Sequence, residues 1–204
     1  EWAQHVAELA AEGVISAETA AAHPALIIVG LVGSIDNDMV GTDMTIGADT
    51  ALHRILDAID QLTSTAASHQ RTFVVEVMGR HCGYLPLMAA VAGGADYVFT
   101  PEDPAGPGWQ DDLAEHLRLG REAGRRESIV RVAEGAHDRD GNELSTQLIA
   151  DTIQERTGED ARVTILGHVQ RGGTPSAYDR WMSTLLGYAA VQEILASSAE
   201  DDPV

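Results

Sequence analysis

The chain has 204 residues, with 32 acidic side chains against 13 basic ones and a formal net charge of −19. That balance excludes general affinity for nucleic acid or anionic membranes, both of which need basic surface. With 44% hydrophobic and only 4% aromatic residues, the core must be built from Ala, Val, Leu and Ile. Every basic residue is Arg, so a Lys-based phosphate loop is excluded and any anion site must use guanidinium forks, His, backbone N–H groups or helix N-termini. The lone Cys82 excludes an internal disulfide and fits a reducing compartment. No apolar run has membrane-spanning length and no signal segment is visible, so a cytoplasmic location is expected. The chain opens on Glu1-Trp2 without Met, which reads as processed material or a fragment.

Trp2, Val6, Leu9 and Ala10 stand at helical spacing over residues 2–12, and Ser16 opens a second short helix to about Ala22. Ala25 to Val32 is an apolar run that reads as a buried parallel strand, delivering Ser34, Asp36 and Asp38 at its carboxyl end. Asp49 reads as the N-cap of a helix with Leu52, Ile55, Leu56, Ile59 and Leu62 on one face. Thr72 to Val77 is a β-rich strand closed by Met78-Gly79-Arg80. Gly83 to Ala92 is a small-residue helix, and Asp96 to Thr100 a further strand. After a Pro/Gly-rich loop over residues 101–108 comes a polar helix, Trp109 to Ala123. Ser128 to Ala133 is a strand, Asp138 to Asn142 a turn, and Ser145 to Thr157 a helix with Leu148, Ile149 and Ile153 on one face. Arg162 to Val169 reads as the last strand and Ser176 to Ser197 as the last helix, before an acidic tail over residues 199–204. Five strand–helix alternations specify an α/β fold with parallel sheets covered by helices.

In such sheets ligands collect at the carboxyl ends of strands. Here those ends carry Ser34-Ile35-Asp36-Asn37-Asp38, then Met78-Gly79-Arg80, then Glu134-Gly135, and finally His168-Val169-Gln170-Arg171. Alternate residues of an extended segment face one way, so Asp36 and Asp38 share a face, one to act as a base and the other to orient a metal ion or proton. A loop whose Asp and Asn side chains merely satisfy turn amides fits the local pattern equally well. Each other piece also has a structural alternative: an exposed turn Arg80, a solvated Glu134, a core His168. His81-Cys82 is too short for a zinc site. Together the pieces suit a polyhydroxylated anionic small molecule. Arg71, Arg80, Arg162, Arg171 and His168 would meet a phosphate, Glu134 would accept hydrogen bonds from hydroxyls, and Asp36 would take a proton. A dinucleotide fold would want G-x-G-x-x-G after its first strand, which Gly30-Leu31-Val32-Gly33 does not supply.

Six segments, in order, resemble the 6-phosphofructokinase family from about residue 26 to 190. They are Gly33 to Asp38 with Gly41-Thr42-Asp43, Ser68-His69-Gln70-Arg71, Val77-Met78-Gly79-Arg80, Ala133-Glu134-Gly135, and Leu166 to Gly173. The fuller wording around His81-Cys82-Gly83-Tyr84-Leu85 and the helices over 1–24 are similar to the catalytic half of eukaryotic-type enzymes. The resemblance implies two Rossmann-like lobes, incomplete at both ends. Residues 1–47 belong to the nucleotide lobe, 48–169 to the sugar-phosphate lobe, and 170–204 return to the first.

It further implies phosphoryl transfer from ATP, with Mg²⁺, to the 1-hydroxyl of fructose 6-phosphate, a glycolytic step. Asp36 would accept the hydroxyl proton, Arg80 would stabilise the transferring group, and Ser34 would assist. Asp38 would lie near the Mg²⁺ indirectly. Ser34, Ile35, Asp36, Met78, Gly79, Arg80 and Glu134 would contact sugar, and His168, Val169, Gln170 and Arg171 would hold its 6-phosphate. Arg71 and Arg162 would reach a neighbouring subunit's site, so an allosteric homo-oligomer is expected. The family's Gly-rich nucleotide segments are not found in the chain, so it is expected to be an inactive fragment when isolated. Gly33, where pyrophosphate-using relatives tend to carry Lys, favours ATP. The alternatives are a pyrophosphate-dependent enzyme and a non-catalytic effector-binding half, the latter disfavoured by the retained Asp36.

Overall fold

Seven helices and six strands occur among the residues described by this computed structural model, 1–69 and 71–197; the side chains of 65–69 fall outside that description. Contacts divide the chain into two units, residues 1–31 with 181 onward, and Val32–Arg180. In the first unit, α1 (Trp2–Ala11) is followed by α2 (Ala17–Ala22), whose cap Ser16 accepts from the Thr19 N–H. Trp2 Nε1 ties the pair down by donating to the His23 carbonyl at 3.2 Å.

The reading of residues 25–32 as a buried strand is overturned. No strand is assigned before Gly33, and Leu26, Ile28 and Leu31 are exposed, Ile28 by 75%. A buried parallel strand needs hydrogen-bonded neighbours along its length. Among the described residues Val32 alone is tied to a neighbouring strand, its carbonyl accepting from the Ile46 N–H at 2.9 Å, and most of the run is exposed. An apolar run states what can be buried, not what buries it. The short strands β1 (Gly33–Ser34) and β2 (Ile46–Gly47) pair in parallel, Gly33 opposite Ile46 and Ser34 opposite Gly47.

Next come α3 (Ala48–His69), β3 (Thr72–Val77), α4 (Tyr84–Gly93), β4 (Tyr97–Phe99), α5 (Trp109–Glu122), β5 (Ser128–Ala133), α6 (Thr146–Thr157) and β6 (Ala161–Ile165). The last four strands form one parallel sheet in the order β4-β5-β3-β6. The pleat sorts β3 between two cores. Phe73, Val75 and Val77 pack with Ile129 against Ala51, Ile55 and Ile59 of α3 and Leu85 and Ala89 of α4. Val74, on the opposite face, joins Val130 and Val132 against Leu113 and Leu117 of α5 and Ile149 and Ile153 of α6. Each fully buried Ile or Leu contributes about 1.5–3 kcal/mol, so this sandwich fixes where the strand ends lie.

Three further boundaries move. Asp49 lies inside the first turn of α3 rather than capping it, because the helix starts at Ala48. The last strand stops at Ile165: Gly167, at φ +50°, turns the chain into a 3₁₀ turn over Gly167–Gln170. In α6 the inward face is Ile149, Ala150 and Ile153, while Leu148 is exposed. The final helix, α7, spans Ala177–Ala196. The expected acidic tail and Gln70 lie outside the described residues.

Candidate functional site

All four strands of the larger sheet run the same way, so the segments after β3, β5 and β6 emerge at one end. The β1–β2 pair holds both ends of the loop that joins them. Asn37 adopts φ +54°, a left-handed conformation that Asn tolerates better than most residues. Its Oδ1 accepts from the Thr45 N–H at 2.8 Å, and the buried Thr45 hydroxyl donates to the Ser34 carbonyl at 2.6 Å. This lacing presents the two carboxylates. The Asp36 N–H donates to Ser34 Oγ at 3.2 Å, and the Ser34 hydroxyl donates to Asp38 Oδ1 at 3.2 Å. The left-handed Asn37 breaks the extended alternation expected here, yet Asp36 and Asp38 remain electrostatically coupled.

Asp36 is only 7% exposed. Its Oδ2 lies 3.8 Å from Arg80 Nε, while Oδ1 is buried and has no hydrogen-bond partner among the described residues. Burial, reinforced by the Asp38 charge, holds its carboxyl above the ordinary aspartate range; Arg80 and Arg171 pull the other way. A buried acceptor left open beside a cation is costly for a structural loop. It suits a group that exchanges a proton with a ligand.

After β3 the chain turns through Met78-Gly79-Arg80. Arg80 sits at φ +51°, in the left-handed region. The Gly79 and Arg80 N–H groups both point to Glu134 Oε2, at 3.4 and 3.1 Å, so the turn after β5 fixes the turn after β3. Two glycines make this approach possible. A Cβ on Gly135 would stand 2.2 Å from the Arg80 carbonyl oxygen, and one on Gly79 would stand 2.4 Å from that of Cys82. The Arg80 side chain is left exposed beside Asp36.

After β6, the 3₁₀ turn exposes His168 and Val169, and Arg171 follows it, also exposed. Arg171 acts on the Asp36 carboxyl through its charge. Gln170 is buried, its Oε1 accepting from the Met78 N–H at 2.8 Å. The structure therefore gathers Ser34, Asp36, Asp38, Met78, Gly79, Arg80, Glu134 and the His168–Arg171 turn around one strand edge. Ile35 joins them through its backbone while its side chain packs against the α3 core.

Arg71 and Arg162 are not part of this group. They flank the amino ends of β3 and β6, where both donate to Asp160 Oδ2, at 2.8 and 3.0 Å. Six strand residues at about 3.3 Å each separate the two ends of β3, roughly 20 Å.

Several positioning residues had no weight in the sequence reading. Asp179 is buried and accepts from the Gly47 and Thr50 N–H groups at 2.8 Å each, and from the Thr50 hydroxyl. It thereby neutralises the start of α3 immediately behind β2. The signal was present as Ser176-x-x-Asp179, a capping pattern, and the Asp179 N–H does donate to Ser176 Oγ at 3.1 Å. Glu102 similarly accepts from the Gly83 N–H at 2.7 Å at the entry to α4.

A cleft of about 450 Å³ lies beside β4, lined by Asp96, Tyr97, His116 and Arg139 among others, and none of the gathered residues contributes to it. No group of three or more His, Cys, Asp or Glu side chains among the described residues is arranged for a metal. Mg²⁺ in a phosphoryl-transfer site needs only one or two carboxylates, with phosphates and water completing its shell. Asp38, whose Oδ1 accepts from the Ser34 hydroxyl beside Asp36, fits that lesser requirement. No helix among the described residues is long and apolar enough to cross a membrane.

Comparison with known proteins gives one consistent picture. A family model described as Phosphofructokinase matches residues 4–194. The chain is 54% identical over 200 residues to the human ATP-dependent 6-phosphofructokinase, liver type, covering 98% of this chain and 26% of that protein. It is 52% identical over 200 residues to ATP-dependent 6-phosphofructokinase 2 of Aspergillus oryzae, again 98% of this chain and 26% of the relative. It superimposes on a phosphofructokinase structure from Saccharomyces cerevisiae with a TM-score of 0.92 at 52% identity, over 98% of this chain and 27% of that one. The chain thus spans about a quarter of the length of these relatives.

Proposed function

Because this chain belongs to the phosphofructokinase family, we propose that it carries the sugar-phosphate side and the catalytic base of an ATP-dependent 6-phosphofructokinase. The observation that carries this reading is the buried, open Asp36 carboxylate oxygen beside Arg80, at the strand ends where Glu134, His168 and Arg171 also arrive. Asp36 accepts the proton of the fructose 6-phosphate 1-hydroxyl as that oxygen bonds to the γ-phosphorus of ATP. The bond between that phosphorus and the bridging oxygen breaks, releasing ADP. The raised pKa of Asp36 brings it closer to a base that can hold the proton it takes. Arg80, exposed at its tip and fixed at its backbone by Glu134, balances the charge of the transferring group. The hydroxyls of the sugar meet Glu134 and the backbone of Met78 and Gly79, and its 6-phosphate meets His168 and Arg171. Ser34 orients Asp38 and the Asp36 backbone. Bound Mg²⁺ would neutralise charge on the nucleotide phosphates, with Asp38 beside it.

Residues 1–47 and 170–204 are assigned to the nucleotide lobe and 48–169 to the sugar-phosphate lobe. Arg71 and Arg162 stand too far from Asp36 to touch the same molecule of sugar phosphate. Their convergence on one carboxylate oxygen shows two guanidiniums held close enough for a single anion. We assign them to the 6-phosphate bound in a neighbouring copy, so the working enzyme is a homo-oligomer open to allosteric control. The setting is cytoplasmic glycolysis.

The test is direct. The intact protein, supplied with Mg²⁺, ATP and fructose 6-phosphate, should form ADP and fructose 1,6-bisphosphate. Tight binding of sugar phosphate without turnover, with either ATP or pyrophosphate, would instead make it an effector-binding half.

A further inference from the structure

The hydrogen-bond ladder between β3 and β6 stops one step short of the site. Leu166 N–H donates to the Glu76 carbonyl at 3.2 Å, and Glu134 N–H donates to the Val77 carbonyl on the other side of β3 at 3.0 Å. Alternate residues of a strand address the same neighbour, so Met78 N–H is the next donor facing β6. A regular ladder would offer it the Leu166 carbonyl. That carbonyl instead accepts from Val169 N–H at 3.4 Å, inside the 3₁₀ turn.

The vacancy is filled by a side chain. Gln170 Oε1 takes the Met78 N–H at 2.8 Å, and the residue is 1% exposed. Only the amide oxygen can accept from an N–H, so the orientation of this carboxamide is fixed. Its Nε2 is then left buried without a partner among the described residues. An apolar residue at this position would remove that orphan but leave the Met78 N–H without its acceptor, so the oxygen is the part of Gln170 that the fold uses.

We propose that Gln170 is a positioning residue and not a ligand of the sugar phosphate. It clips the His168–Arg171 turn to the Met78–Gly79–Arg80 turn. With Glu134 holding Gly79 and Arg80 from the other side, the clip sets the spacing between the phosphate-holding groups and the guanidinium beside Asp36. The identity of the ligand rests on the phosphofructokinase reading; the clip rests on the Gln170–Met78 hydrogen bond and the strand register.

The experiment uses the intact protein carrying Gln170→Met, which keeps length but cannot replace the acceptor, and Gln170→Glu, which keeps an acceptor oxygen. Hydrogen exchange at the Met78 amide should speed up at least tenfold in Gln170→Met and stay near the parent rate in Gln170→Glu. With fructose 6-phosphate and ATP, Gln170→Met should lower kcat about tenfold in the parent but less than twofold when Arg80→Ala is already present. An unchanged Met78 exchange rate would overturn the clip. So would a rise in KM for fructose 6-phosphate with kcat unchanged, the pattern of a direct ligand. Absence of any fructose 6-phosphate phosphorylation by the parent would remove the kinase reading, while the exchange comparison would still decide the clip. If Gln170→Met does not fold, faster Met78 exchange in a folded Gln170→Glu would overturn it.

Discussion

The two ends of the parallel sheet use their charges in opposite ways. At the amino end the cations are paired with carboxylates of this chain. Arg71 and Arg162 share Asp160, and Arg121 forks onto Glu159 at 2.8 and 2.9 Å, with Glu159 also held by the Thr72 hydroxyl at 2.6 Å. At the carboxyl end the groups are left open: a buried Asp36 oxygen without a partner, an exposed Arg80 in a left-handed conformation, and a Gln170 nitrogen without an acceptor. The amino end meets its charges within the chain, leaving only the outer faces of Arg71 and Arg162 for another molecule; the carboxyl end retains polar capacity that a ligand can satisfy. The same contrast separates the roles proposed for arginines that sequence alone grouped together.

Breaking the open end should have the largest effect. Asp36→Asn in the intact protein should lower turnover about 10²–10⁴-fold, the usual worth of a general base, with fructose 6-phosphate binding little changed. The same change should raise stability at neutral pH. Burial raises the folded-state pKa of Asp36, so the unfolded chain releases this proton first as pH rises. The favourable contribution present below the ordinary aspartate pKa is lost as pH climbs through the raised one. Asn escapes that loss, so the melting temperatures of the two proteins should converge at acid pH and separate near neutrality.

Arg80→Gly sharpens the contrast next. Turnover should fall about 10²–10³-fold with the transition-state cation gone. The left-handed position costs a non-glycine residue about 1–2 kcal/mol, part of which Gly recovers, so denaturant titration should show no loss of stability. A clear destabilisation would mean that Arg80 serves the fold.

Arg162→Ser touches the amino end and should act on affinity, raising KM for fructose 6-phosphate about tenfold or more with kcat nearly intact, as expected for one charged hydrogen bond of about 1.5–3 kcal/mol. A pure kcat defect would contradict its assignment to a neighbouring copy's phosphate. Asp160→Asn, at a half-exposed pair, should change stability by about 1 kcal/mol or less, measured by thermal melting.

Much of this organisation was legible in the sequence, and the failures are instructive. β3, β5 and the α5–α6 pair follow from β-rich runs and helical spacing, because each buries its apolar face within this chain. Residues 25–32 were misread for the complementary reason: a pattern identifies a buriable segment, but burial depends on partners that it does not name. Met78–Arg80, Glu134 and the His168–Arg171 turn come to one end of the larger sheet because β3, β5 and β6 run parallel, as the alternation of strands and helices predicts; Ser34–Asp38 instead follows β1 of the separate β1–β2 pair.

Less visible was what each residue does within its segment. Gln170 looks like its exposed neighbours in sequence, but it is buried because β6 ends early. Asp179 acts on a helix start 129 residues away from it at Thr50. Arg131 is the reverse case, a charged residue in the centre of β5 that is 0% exposed. Its Nη1 donates to the Ala89 carbonyl, Nε and Nη2 have no partner among the described residues, and burial pulls its pKa down to about 10. No role in the proposed chemistry follows from that position.

The most direct test of the central claim is the pH dependence of turnover, at saturating fructose 6-phosphate and ATP, for the intact protein and its Asp36→Asn variant. If Asp36 is the base, the parent's turnover should fall tenfold per pH unit on the acid side, below an apparent pKa above the ordinary aspartate value. The residual activity of the variant should lack that limb. The same acid limb in both proteins, or a variant as active as the parent, would contradict the account.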